Sequence, residues 1–121
     1  MDEREQLQRE VLVELIAYSE KLIPAVQTII EELRGNEQGD TSEFLNEIIN
    51  GINWEIEVYN QCAALLNSRS NYIDKKIMVE AVTSLGQSLS SGENQKVADS
   101  FEEYFLPFLN KLALAAKMVV E

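Results

Sequence analysis

The stretch that decides the fold is LQREVLVELIAYSEKLIPAVQTIIEEL, Leu7–Leu33. Leu7, Val11, Leu15, Tyr18, Leu22, Val26, Ile29 and Leu33 follow one another at intervals of 4, 4, 3, 4, 4, 3 and 4 residues. That spacing lines one face of an α-helix, and Leu12, Ile16, Ile23 and Ile30 broaden it. The expectation is a helix from about Asp2 to Arg34. Pro24 lies inside it, where a missing backbone donor and a ring clash with the preceding turn predict a kink or a break.

Working outward, turn-forming residues punctuate the chain at Gly35–Gly39, at Asn67-Ser68-Arg69-Ser70-Asn71 and at Ser90-Ser91-Gly92. Between them the apolar residues recur at helical spacing and never alternate. A second helix is expected from Asp40 or Thr41, with Asp40 and Glu43 placed as a capping box. Its core stripe is Leu45, Ile48, Ile52, Ile56, Tyr59, Ala63 and Leu66. The third helix, Ile73 to Leu89, is diluted by serines and Gly86. The fourth runs from about Glu93 to Val120 and contains Pro107. The apolar residues around the two prolines stand at equal offsets: Leu22, Ile23, Val26 and Ile29 against Phe105, Leu106, Leu109 and Leu112. Four long helices joined by short turns imply an all-α fold, an up-and-down antiparallel bundle of four main helices kinked or broken at Pro24 and Pro107. At 121 residues the length fits one domain, 1–121.

Composition excludes much chemistry. With no histidine and one cysteine, Cys62, the chain lacks the usual general base and the ligands of a zinc site. It also lacks the Glu-x-x-His pairs that build di-iron centres in helical bundles. No Gly-rich phosphate loop or calcium loop is present. Neighbouring carboxylates such as Glu31-Glu32 and Glu102-Glu103 point about 100° apart on a helix and do not converge on one proton. Cys62 sits mid-helix with no basic setting, as an inert buried thiol does. The expectation is a protein without catalytic, metal or cofactor residues. A single cysteine and a charged start, Met1 to Glu5, with no basic-then-apolar leader, point to the cytoplasm. No apolar run is long enough to span a bilayer.

A net charge of −11 and a pI of about 4.4 argue against nucleic acid, whose phosphates need Lys and Arg. The imbalance is concentrated: residues 1–66 hold 14 acidic and 4 basic residues, and residues 67–121 hold 7 and 6. The front half therefore favours basic surfaces, while Arg69, Lys75 and Lys76 gather at the start of the third helix.

The second helix carries the strongest pointer to function. On a helical wheel with Leu45 at zero, its core stripe lies within roughly 60° of that direction. Trp54, Val58 and Leu65 fall on the opposite side with Gly51 and Cys62 beside them, and Asn46, Asn50, Asn53 and Glu57 fill a polar wedge. A second apolar face must be covered by another part of the chain, by a second copy, or by a partner helix. Gly51, Trp54, Val58 and Leu65 are the candidate partner or dimer interface, with Gly51 small enough to admit a close neighbour.

The run Tyr18 to Trp54, an apolar helix with Leu22-Ile23-Pro24, a short acidic Gly-containing turn and then Phe44-Leu45-Asn46-Glu47-Ile48-Ile49-Asn50-Gly51-Ile52-Asn53-Trp54, resembles a group of small acidic helical proteins of Gram-positive bacteria. That group is similar in size, charge and helical layout to flagellar export chaperones, which hold an unassembled secreted subunit. The resemblance implies a fold-level analogy and no catalytic or binding residues. The expected function is a non-enzymatic protein-binding module, a small cytoplasmic chaperone or adaptor holding an amphipathic partner segment. The alternative is a structural or regulatory homodimer with no client groove. Partners are protein, either a second copy or a helical client, with no nucleic acid and no membrane.

Overall fold

The computed structural model describes residues 3–68 and 73–121. Helix α1 spans Glu3–Leu33, α2 Thr41–Leu66 and α3 Lys75–Ser91. Helix α4, Asn94–Ser100, continues through a π-helical turn, Phe101–Phe105, into α5, Leu106–Val120. Backbone angles at Ser100, Phe101, Phe105 and Leu106 are all right-handed helical, so these three pieces form one rod. The described residues contain no strand, and no helix among them is long and apolar enough to cross a membrane. The molecule is the all-α antiparallel bundle that the periodicity implies.

Each long helix buries a seam spaced 3 and 4 residues in alternation. In α1 the seam is Leu12, Leu15, Ser19, Leu22, Val26, Ile29 and Leu33. In α2 it is Ile48, Ile52, Glu55, Tyr59, Cys62 and Leu66. In the rod it is Phe101, Phe105, Phe108, Leu112, Ala115 and Val119. This is the repeat that keeps one stripe of a helix against its neighbour over many turns. Burying a Leu or Phe completely contributes about 2 kcal/mol, so the seams dominate the energetics.

Polar cross-links confirm that α1 and α2 run antiparallel. The Gln8 side chain donates to the Gln61 carbonyl at one end, and the Thr41 hydroxyl donates to Glu32 Oε1 at 2.7 Å at the other. Helix α1 is likewise antiparallel to the rod. Arg9 donates to the Val119 carbonyl, and Arg34 reaches Asp99 at 2.9 Å and Glu102 at 2.7 Å. Helix α1 and the rod share the longest interface, α2 lies against α1, and α3 lies against the rod; α2 and α3 barely meet.

The prolines act differently from each other. Helix α1 passes through Pro24 without a break, and the Thr28 hydroxyl donates back to the Pro24 carbonyl at 3.1 Å. Pro107 follows the π turn, in which the Leu106 N–H reaches back five residues to the Phe101 carbonyl. A wider turn directly ahead of a proline gives its ring the room that a regular α-turn denies it. Neither proline breaks its helix. The equal offsets around them do correspond to equal burial, with Leu22, Val26 and Ile29 buried like Phe105, Leu109 and Leu112.

At the helix ends the turn read at Gly92 is present, and the cap read at Asp40 is not. Asp40 precedes α2, but its side chain makes no capping bond. The buried Thr41 hydroxyl accepts the Gln38 N–H at 2.7 Å and carries the tie to Glu32. Gly92 ends α3 in the left-handed region, at φ 71°, a conformation glycine adopts without strain. Asp74 caps α3 by accepting the Lys76 N–H at 3.0 Å. Of the third turn and the basic cluster, Arg69, Ser70 and Asn71 lie outside the described residues, whereas Lys75 and Lys76 are exposed. Asn67 ties the end of α2 to Ile73: its amide donates to the Ile73 carbonyl and accepts the Ile73 N–H, both at 3.1 Å, while the Tyr59 hydroxyl donates to the same carbonyl.

Candidate functional site

The two apolar faces expected on α2 are one. Its buried surface is centred on Ile52, Glu55, Tyr59 and Cys62, between the two directions read from the sequence, and it takes in Gly51 and Val58 on one flank. Leu45, Ile56 and Ala63 are half-buried at one edge, Trp54 and Leu65 at the other. The sequence reading split this surface because a carboxylate, Glu55, sits in its middle. Val58 belongs to the core at 3% exposure and is not an interface residue in this fold. Cys62 is buried, and burial pushes its thiol up.

Glu55 is fully buried, and its Oε2 accepts a hydrogen bond from the Ser19 hydroxyl at 2.9 Å. Its Oε1 has no hydrogen-bond partner among the described residues. Burial pushes the carboxyl up from about 4.5 to about 7, with the Ser19 bond pulling the other way. Ser19 and Glu55 both occupy seam positions, so they form one polar layer in an otherwise apolar α1–α2 contact. Such a layer costs stability and penalises any shift in register, since a slid seam would leave both groups unpaired.

One turn of seam away, the surface opens. Tyr18 was expected in the core, yet it is 36% exposed, because the seam runs through Ser19 beside it. Its ring meets Trp54 edge to face, with centroids 5.5 Å apart and planes at 81°, a favoured aromatic geometry. Below the pair is Gly51, where an added Cβ would overlap the Tyr18 hydroxyl. The close approach that Gly51 permits is therefore made by Tyr18 of the same chain, not by a partner. Together Glu14, Tyr18, Glu47, Asn50, Gly51 and Trp54 line an open hollow of about 570 Å³.

Among the residues named from the sequence, the structure thus brings Gly51 and Trp54 together. Leu65 lies three turns further along α2, and Val58 is withdrawn into the core. Sequence reading missed Tyr18, Glu14, Glu47 and the Ser19–Glu55 pair. An unbroken count of alternating 3 and 4 from Leu12 would have found Ser19, and the same count from Ile48 would have found Glu55. The hollow itself depends on how two helices are set against each other, which no single helix encodes.

A smaller hollow lies between α1 and α5, lined in part by Ile23, Pro24, Asn110 and Leu114. On the far side of the molecule Val79, Val82 and Tyr104 are exposed along α3 and the rod at 47%, 44% and 38%. The described residues contain no group of three or more side chains able to hold a metal ion.

No curated protein and no solved structure matches the chain at a significant level. A family model described as a domain of unknown function, DUF8042, matches residues 10–115, a span that holds the polar layer, the aromatic hollow and most of the rod. The chain belongs to the DUF8042 family.

Proposed function

We propose that this protein is a non-enzymatic, cytoplasmic protein-binding module, a small chaperone or adaptor that holds an amphipathic segment of a partner against the α1–α2 surface. The observation that carries the reading is the Tyr18–Trp54 pair. Two large aromatic side chains stand half out of the core over an open hollow, on a frame of two long, firmly seamed helices. Partly exposed aromatics of this kind are the residues that most often anchor protein interfaces. The likeness in size, charge and helical layout to flagellar export chaperones points the same way at the level of fold.

The alternative, a structural or regulatory homodimer that consumes this face, draws on the apolar side chains exposed elsewhere on α1, Leu7 at 65% and Val13 at 55%. Mass in solution across a concentration series, for the parent and for Trp54→Glu, separates the two readings. A parent monomer whose Trp54 is open to acrylamide quenching, and a folded variant that no longer binds a hydrophobic dye, support the binding module. A parent dimer that Trp54→Glu converts to a folded monomer supports the homodimer. A variant that loses its helicity makes Trp54 a packing residue and removes the basis of both.

A further inference from the structure

We propose that the Tyr18–Trp54 hollow receives a cation, the guanidinium or ammonium group of a basic side chain on the partner segment. This rests on the binding reading above and gives it a chemistry. An edge-to-face pair leaves the faces of the edge-on ring uncovered by its neighbour, and an aromatic face attracts positive charge. Glu14 stands one helical turn before Tyr18 on α1, and Glu47 one turn before Gly51 on α2. Because α1 and α2 are antiparallel, these one-turn offsets set the two carboxylates at opposite ends of the hollow with the rings between them. Asn50 adds an amide that can accept a hydrogen bond.

Neither Glu14 nor Glu47 forms an ion pair with another described residue. Lys21 lines the adjoining hollow with Tyr18 and Glu47 and does not pair with Glu47. The hollow thus offers aromatic faces and two uncompensated carboxylates and lacks a positive group of its own. The surrounding half of the chain, 14 acidic residues against 4 basic, would draw a basic segment in and repel an acidic one.

Trp54 is the only tryptophan, so its emission reports on the hollow directly. The probes are three short amphipathic peptides with the same apolar face, whose polar faces are arginine, glutamine or glutamate. The arginine peptide should shift Trp54 emission saturably and bind about tenfold or more tighter than the glutamine peptide, with the advantage shrinking as salt rises. The pair Glu14→Gln/Glu47→Gln, with helicity unchanged, should erase that advantage. The pair Glu80→Gln/Glu103→Gln removes the same charge from exposed positions on α3 and the rod, away from the hollow, and should retain it.

Equal binding of the arginine and glutamine peptides would overturn the cation proposal and leave the binding module standing. So would an arginine preference that survives Glu14→Gln/Glu47→Gln, or that both double variants weaken alike. If no peptide perturbs Trp54 at any concentration, the cation proposal and the reading beneath it fail together.

Discussion

At the scale of single residues, Glu55 is the exception to everything else in the core. A carboxylate that loses its water and gains one hydroxyl donor holds its proton more tightly than the unfolded chain does. The folded state therefore binds more protons than the unfolded state between about 4.5 and about 7. Stability from this group is full below that window and is lost as the pH rises through it, the reverse of a salt-bridged carboxylate. From the two values the loss is about 3 kcal/mol. Urea unfolding of the parent and of Glu55→Gln should diverge by about that amount between pH 5 and pH 8, with the parent the steeper of the two. A constant difference across the range would mean that Glu55 titrates as a solvated carboxylate. Removing the donor with Ser19→Ala should move the midpoint of the divergence upward, since the Ser19 bond opposes the shift.

At the scale of elements, the helices were legible and their rotations were not. Long runs spaced 3 and 4 place α1 and α2 within a residue or two of their ends, because periodicity survives individual exceptions. The direction in which a helix faces is a weighted average of its apolar side chains. Here one polar seam residue in each helix, Ser19 in α1 and Glu55 in α2, pulls that average sideways. In α1 the reading moved from Ser19 to Tyr18, and in α2 from Glu55 to Ile56, which put Tyr18 in the core and split one α2 face into two. The sequence marks Gly51 as open to a partner's close approach, whereas the group that comes close is Tyr18 of the same chain. Pro24 was read as a kink or break because a proline inside a helix forfeits a hydrogen bond. In this fold the seams on both sides of it, Leu15 to Leu22 and Val26 to Leu33, hold the helix continuous. Pro24→Ala, at an exposed position, should restore the bond from residue 24 to the Glu20 carbonyl and raise stability by about 1–3 kcal/mol. Thermal unfolding of the two proteins at one pH measures it, and a loss of stability would show that the ring itself packs usefully beside Ile23 and Leu114.

At the scale of the whole molecule, the bundle is two helical hairpins joined along one wall. Helices α1 and α2 form the first, and α3 with the rod forms the second, while α1 and the rod are the wall they share. The acidic charge, the polar layer and the aromatic hollow all belong to the first hairpin, and the near-neutral second hairpin backs it. Among the described residues, helix α3 meets the rest of the protein almost entirely through the rod, and the side chains it buries are Met78, Ala81, Leu85 and Ser88. Two of those four are small, and Val79, Val82 and Leu89 on the same helix face water. An element secured on one side by so little apolar area opens at lower free energy than the elements on both sides of a shared wall. Backbone amides of α3 should therefore exchange with deuterium well before those of α1 and α5, at a rate that rises with mild denaturant less steeply than global unfolding does. The protein would then spend part of its time as a three-rod body, with the inner flank of Phe101 and Phe105 briefly uncovered while the Tyr18–Trp54 side stays intact.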